Sequence, residues 1–138
     1  MNNALLLLGR ALLSIIFITA GWAKLTAISG TAGYFESLGL PAPAVLTVLS
    51  GLLEFFGGLA ILVGFKTHWA AFTIAVFSVA AAFIGHYGQG GDNPVLVMMN
   101  QQALLKNFAI AGGLLVLAVF GPGALSVDAM LGKKKSLA

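Results

Sequence analysis

The segment VLTVLSGLLEFFGGLAILVGF, residues 45–65, predicts a helix that spans a membrane. It is about as long as the roughly 20 apolar residues that a helix needs to cross a bilayer, and Glu54 near its middle is its only ionisable residue. A carboxylate at the membrane midplane opposes insertion by about 2.5–3.5 kcal/mol, so it normally faces the bundle interior and finds a partner. We therefore take Glu54 as a candidate site residue and expect a cation from another helix, Lys106 or Arg10, to hold it.

The composition places the whole chain in a membrane. Of the 138 residues, 59% are hydrophobic and 8% are charged, whereas charged residues make up about 25% of a soluble domain. The mean hydropathy is +1.02. Four spans would use nearly the whole chain and leave no soluble catalytic domain, so redox cofactors must come from a partner. The absence of cysteine excludes thiolate catalysis, iron–sulfur ligation and covalent haem attachment.

Four apolar segments account for nearly all of the sequence. They cover approximately residues 4–23, 44–64, 69–86 and 102–120. The connection 64–68 is short enough to force antiparallel neighbours, and the Gly-Pro-Gly at 121–123 ends the fourth segment. The sequence thus predicts an all-α polytopic membrane protein, a four-transmembrane-helix bundle. A short interfacial helix is predicted at 34–38.

The basic residues give the orientation. Four crossings place both termini on one side, and that side collects Arg10, Lys66 and the cluster 133–135 (Lys-Lys-Lys). By the positive-inside rule both termini are predicted to be cytoplasmic. The net charge of +3 therefore indicates a lipid bilayer as partner and no nucleic acid. An alternative reading takes Arg10 to Ala23 as a signal peptide, but the apolar stretch begins before Arg10 and is long enough to span.

Polar and small residues align on one face of each predicted helix. At about 100° per residue, Arg10, Gly21 and Lys24 fall on one strip of the first helix. Glu54 shares its face with glycines that let a neighbouring backbone approach closely. The candidate residues of a polar ligand site are Arg10, Lys24, Glu54, His86, Lys106 and Asn107. The candidate packing residues are Gly21, Gly51, Gly57, Gly58, Gly112 and Gly113.

Depth in the membrane groups these side chains into one outer cavity. Lys24, His86 and Lys106 are predicted near the outer interface, with Glu54 below them. Such a cavity would be net positive and would suit an anionic headgroup, an oxyanion or a quinone that gains negative charge. The structural alternative is that Glu54 only neutralises Arg10 or Lys106 while the interfacial lysines extend to the surface.

A metal or haem site is not expected. The two histidines, His68 and His86, are 18 residues apart, which is about 27 Å along a helix, so they cannot ligate one iron in the same chain. His86 and Glu54 show no metal-ligand spacing. We predict no metal and no intrinsic cofactor, and leave a bound quinone as the one cofactor class that the cavity would suit.

Five short motifs follow one another along the chain. They are GR-x-LL-x-x-x-F-x-x-x-G-x-x-K at 9–24, YFESLGLP at 34–41, LLE-x-x-GG at 52–58, KN-x-x-x-x-GG at 106–113 and FGPG-x-x-S-x-D at 120–128. In this order and spacing they resemble the DoxX family over almost the whole chain. The matching motif positions are Arg10, Lys24, Glu54, Gly57, Gly58, His86, Lys106 and Asn107.

The resemblance implies a small four-helix, multi-pass protein of the bacterial inner membrane. Members of the family are linked to thiosulfate:quinone oxidoreductase and to an oxidoreductase complex that also contains superoxide dismutase and a sulfurtransferase. This implies a subunit that is not catalytic alone, that anchors a soluble or membrane redox protein, and that offers a quinone or small-anion site in the outer half of the bundle, in a setting of oxidative stress. The alternatives are an oligomeric transporter or channel for a small solute, and a structural or lipid-binding module whose glycine faces form a homo-oligomer.

Overall fold

The computed structural model describes residues 2–136, with side chains from 2 to 132. The helices are α1 Asn2–Thr26, α2 Ile28–Ser37, α3 Pro43–Val63, α4 Thr67–Gly85, α5 Pro94–Phe120 and α6 Val127–Ser136. Within the described range no strand occurs. The fold is therefore all-α, as predicted, and the side chains of the lysine cluster 133–135 lie outside the described part.

Four of these helices, α1, α3, α4 and α5, are long and apolar enough to cross a membrane. Three begin and end within a few residues of the predicted bounds, but α5 begins at Pro94 instead of Gln102. Asn93 caps this helix by accepting from the backbone N–H groups of Val95 and Leu96, and proline is pre-organised for a first helical turn. The polar run 100–102 (Asn-Gln-Gln) suggested a connection because it interrupts the apolar pattern.

The α2 helix is longer than the predicted segment 34–38. It follows α1 after a single break at Ala27 and ends before Gly39, whose φ of +74° lies in the left-handed region that favours glycine. No residue of α2 is fully buried. This helix lies across one end of the bundle, mainly on α3, and we call that end the α2 end.

The opposite end gathers the start of α1, the turn between α3 and α4, and the chain after α5. The Asn3 side chain accepts from the backbone of Ala124 at 3.1 Å, and the backbone N–H of Asp128 donates to the carbonyl of Gly64 at 2.8 Å. We call this the terminal end. The four spans therefore run up and down, with the start of α1 and the end of α5 on the same side.

Glycines hold α1 against α3 in an antiparallel pair. A Cβ at Gly21 would collide with the Phe55 backbone and lie only 2.7 Å from the Gly51 carbonyl, so the two backbones are in contact there. A Cβ at Gly58 would come within 3.0 Å of the Ile18 backbone nitrogen. A Cβ at Gly57 would meet the side chain of Ile74 on α4.

The other two predicted packing glycines belong to α5 and differ from each other. A Cβ at Gly113 would make ordinary contact with Leu13, whereas Gly112 faces open space among the described residues. The second extensive helix pair is α4 with α5. The bundle thus consists of two halves, α1 with α3 and α4 with α5.

A core of buried apolar side chains joins the two halves near the terminal end. Its members include Phe17, Ile61, Ile74 and Leu114, one from each spanning helix. Three of them, Ile61, Ile74 and Leu114, are completely inaccessible. The halves are packed together here, whereas they enclose a space nearer the α2 end.

Candidate functional site: a polar cavity beneath α2

Glu54 is held by Lys24. The ammonium Nζ donates to the carboxylate Oε2 at 2.5 Å, and the two side chains are only 18% and 8% exposed. The expectation that Lys106 or Arg10 would hold the carboxylate is therefore wrong. The carboxylate does have a cation from another helix, and this cation is Lys24, which the sequence analysis places near the outer interface above Glu54.

The direction of helical side chains explains this pairing. In a helix the Cα–Cβ bond tilts toward the N-terminus. Because α1 and α3 are antiparallel, Lys24 tilts from the α2 end toward the bundle centre, while Glu54 tilts from the centre toward the α2 end. Gly51 lies beside Lys24, and a Cβ there would be 3.1 Å from the Lys24 Cβ. The close approach of the two helices brings the charged groups together.

The ion pair lies at the side of a cavity of about 500 Å³ between the two halves. Its size is within the range of small-molecule sites. The lining is mostly apolar and aromatic, with a few polar groups. The lining residues are Lys24, Thr31, Tyr34, Phe35, Leu38, Leu40, Leu46, Ser50, Glu54, Phe77, Ala80, Ala81, Ile84, Gly85, His86 and Asn107. The structure therefore brings together four of the six candidate site residues: Lys24, Glu54, His86 and Asn107.

The remaining two candidates lie elsewhere. The side chain of Lys106 is exposed on α5 and does not line the cavity, and Arg10 is near the terminal end. Since Lys24 is paired with Glu54, the charged side chains of the cavity balance. The prediction of a net positive cavity is therefore wrong, because the carboxylate of Glu54 offsets the ammonium of Lys24.

His86 is oriented by Asn100, a residue that the sequence analysis did not single out. The imidazole Nδ1 is 2.9 Å from the Asn100 Oδ1, and the Asn100 amide nitrogen donates to the carbonyl of Leu96 at 2.9 Å. Asn100 lies in the first half of α5, where the sequence predicts a connection. In a helix that begins after Asn93, Asn100 lies seven residues before Asn107 and therefore on the same face. This spacing is the sequence signal that identifies Asn100.

Two further polar side chains of the lining are tied to their own helices. The Asn107 amide nitrogen donates to the carbonyl of Ala103 at 3.1 Å, and the Ser50 hydroxyl donates to the carbonyl of Thr47 at 3.1 Å. Each bond leaves an oxygen with spare acceptor capacity. These groups therefore add acceptors to the wall without adding charge.

The α2 helix covers the cavity and is fixed to α4. The Tyr34 hydroxyl donates to the carbonyl of Gly85 at 2.7 Å, which satisfies a carbonyl at the end of α4. Burial raises the pKa of the Tyr34 hydroxyl, so the group stays a donor. Thr31 and Phe35 on the same helix, and Leu38 directly after it, also line the cavity.

Arg10 belongs to a separate polar cluster at the terminal end. Its side chain is 1% exposed, and its Nη2 donates to the carbonyl of Leu125 at 2.5 Å. Within residues 2–132 its Nε and Nη1 have no hydrogen-bond partner. The guanidinium fills the space above Gly64, where a Cβ would collide with it. Arg10 thus fixes the chain after α5 to α1 and α3.

Asp128 completes this cluster by capping α4. Its carboxylate accepts from the backbone N–H groups of Lys66 at 2.7 Å and Thr67 at 2.9 Å, and from the Thr67 hydroxyl at 2.8 Å. Burial alone would raise the pKa of Asp128, but the bonds from Thr67 and Lys66 outweigh it and hold the pKa below its ordinary value. Among the described side chains, no group of three potential metal ligands occurs at either end.

The fold and the cavity define a small four-helix integral membrane protein with a covered pocket between two helix pairs. The DoxX family profile matches residues 5–87, and the chain belongs to the DoxX family. Two relatives are inner membrane proteins of Escherichia coli strain K12. YqjF is 44% identical over 130 residues, covering 93% of this chain and 92% of its own length. YphA is 36% identical over 126 residues, covering 90% and 88%.

No solved structure matches this chain at a significant level. Together, the family, the two relatives and the four apolar helices make this chain a multi-pass protein of the inner membrane.

Proposed function

We propose that this protein is a membrane subunit of a redox complex, which anchors a partner protein and presents a quinone site in the cavity beneath α2. The observation that carries the proposal is the content of the cavity: a neutralised Lys24–Glu54 pair and a histidine within an apolar, aromatic wall. A quinone headgroup is a flat, neutral ring with polar atoms at its edges. It therefore suits this wall better than a free anion does, because Glu54 offsets the charge of Lys24.

The residues present fit such a ligand in chemical type. Phe35 and Phe77 provide aromatic surface, and the aliphatic side chains around them suit an apolar tail. Lys24, His86 and Asn107 supply polar atoms that orient a headgroup. The electron transfer itself belongs to the partner, since the chain carries no cofactor motif of its own.

The apolar core supports a subunit over a solute transporter. Phe17, Ile61, Ile74 and Leu114 fill the bundle between the cavity and the terminal end. A small solute would have to pass this packed layer, and a transport cycle would require its disruption. A binding site with one entrance needs no such change.

Ligand occupancy tests the proposal directly. The full chain is purified gently with native lipids and analysed by native mass spectrometry and lipid extraction, and we expect co-purified quinone. The double variant Lys24→Met with Glu54→Gln should lose it, because the polar end of the cavity is removed without stranding a charge. Lys106→Met, which deletes an exposed cation outside the cavity, is the matched control and should keep the quinone. Phospholipid alone in the wild-type protein would favour a lipid-binding module instead.

The orientation is part of the proposal, since a partner must reach the protein from one side. The basic residues favour a cytoplasmic terminal end. Because the chain has no cysteine, single cysteines introduced at Asp92 and Ala124 can be labelled without background. In intact cells a membrane-impermeant thiol reagent should label the first and spare the second. The reverse pattern would place the cavity on the cytoplasmic side.

A further inference from the structure

We propose that Asn100 fixes His86 in the tautomer that accepts a hydrogen bond from the ligand, and that the cavity therefore prefers the reduced, hydroxyl-bearing form of its ring ligand over the oxidised form. This inference rests on the proposed function for the class of ligand. The preference for the reduced over the oxidised form is argued from the hydrogen-bond geometry of His86 and Glu54.

The direction of the Asn100 amide decides the tautomer. Its nitrogen faces the Leu96 carbonyl, which only accepts, so the nitrogen must be on that side and the oxygen must face His86. An amide oxygen accepts and does not donate, so the imidazole Nδ1 carries a proton. In the neutral ring the proton on Nδ1 leaves Nε2 as an acceptor.

The second acceptor is Glu54. Its Oε2 receives the Lys24 ammonium, and within the described residues its Oε1 receives no hydrogen bond. Both residues line the cavity. Nε2 of His86 and Oε1 of Glu54 are therefore the two acceptors that these side chains keep for a ligand. Lys24 donates, but it can donate to a carbonyl oxygen or to a hydroxyl oxygen, so it does not distinguish the two forms.

The two redox forms of a quinone meet these acceptors differently. The reduced ring carries two O–H donors, each of which has a partner in such a wall. The oxidised ring carries two carbonyl oxygens, which would face the acceptors without a proton between them. Buried polar groups left unpaired in this way weaken binding by about tenfold or more. The site thus distinguishes hydroxyl from carbonyl, whatever the rest of the ring.

The tautomer is measured first, without any ligand. In ¹⁵N-histidine-labelled protein in nanodiscs, the His86 ring should show a protonated Nδ1 and an unprotonated Nε2. The chain has only two histidines, and His68→Gln leaves His86 as the sole signal. A proton on Nε2, or on both nitrogens at neutral pH, would overturn the proposal. Asn100→Leu should shift His86 toward a mixture of tautomers, while Asn100→Asp keeps the acceptor and should preserve the Nδ1 proton.

The preference is measured with decylubiquinone and its hydroquinone under anaerobic conditions, with empty nanodiscs as the correction for partitioning into lipid. We expect the hydroquinone to bind about tenfold more tightly to the wild-type protein. Asn100→Leu should bring the ratio close to one. Gln101→Leu, which removes an exposed amide on the same helix, should retain it.

The outcomes separate this inference from the proposed function. Equal binding of both forms, or tighter binding of the oxidised form, would overturn the preference while leaving a quinone site in place. An unchanged ratio in Asn100→Leu would overturn the role of Asn100. If neither form binds, the proposed function fails and the ligand preference fails with it.

Discussion

The two cations of α1 have contrasting surroundings. Lys24, toward the α2 end, pairs with a carboxylate at the wall of a 500 Å³ cavity. Arg10, toward the terminal end, is 1% exposed and donates to a single backbone carbonyl. One charge is neutralised where a ligand has room, and the other is enclosed between α1, α3 and the chain after α5. A buried charge alone therefore does not mark a binding site, since Arg10 is the more deeply buried of the two cations.

The largest expected effect comes from breaking the pair at the α2 end. Lys24→Met keeps the length of the stem but leaves the Glu54 carboxylate without its cation. We expect a loss of about 3 kcal/mol in the free energy of unfolding, at the low end for a broken buried pair because the pair borders a cavity. Reversible unfolding in detergent measures it.

The double variant distinguishes a structural role of the Lys24–Glu54 pair from a role in ligand binding. Glu54→Gln added to Lys24→Met removes the stranded charge and should restore most of the lost stability. Ligand occupancy should not return if the two groups also orient a headgroup. Recovery of both stability and ligand occupancy would show that the Lys24–Glu54 pair has a structural role only.

The next effect tests why the pair forms at all. Gly21→Ala places a methyl group against the backbone of α3, so the two helices must separate. We expect a loss of about 2 kcal/mol in the free energy of unfolding, as for overpacked sites elsewhere. The control is Gly112→Ala, whose methyl group meets open space. Equal effects in both variants would show that propensity, and not close packing, dominates.

Removing the cation at the terminal end should cost less than removing Lys24. Arg10→Met loses one hydrogen bond to the Leu125 carbonyl but also removes two buried nitrogens that have no partner within the described residues. We expect a loss of about 1 kcal/mol in the free energy of unfolding, with ligand occupancy unchanged. A larger loss in the free energy of unfolding than for Lys24→Met would contradict the prediction that the cation at the α2 end contributes more to stability.

An effect as small as that of Arg10→Met is expected at Asp128, and it depends on pH. Asp128→Asn weakens the cap on α4 and should cost about 1 kcal/mol at neutral pH. Because the pKa of Asp128 is lowered in the folded protein, its contribution is present above the unfolded pKa of about 4 and is lost as the pH falls below that value. Wild type and variant should therefore converge in stability at acidic pH. A difference that stays constant down to pH 3 would contradict the role of the carboxylate.

The sequence sufficed for the fold because four apolar segments with short connections allow few arrangements. The depth argument also placed Lys24, Glu54, His86 and Asn107 around one space. It misplaced Lys106, since helical angle alone does not say how two helix pairs rotate against each other. It missed the partner of Glu54, because helical angle and depth do not include the tilt of side chains along the helix axis. It missed Asn100, because a polar run is also typical of a connection between two spans.

The pairing of Glu54 within the first half of the bundle also bears on how the protein is made. Chains are synthesised from the N-terminus, so Lys24 reaches the membrane before α3 does. A lone carboxylate in an emerging span is costly to insert, by about 2.5–3.5 kcal/mol. Here the counter-ion, Lys24, lies on the preceding span, and Gly21 lets α1 and α3 approach closely enough for the pair to form. The α1–α3 hairpin can therefore enter the bilayer with its carboxylate already paired.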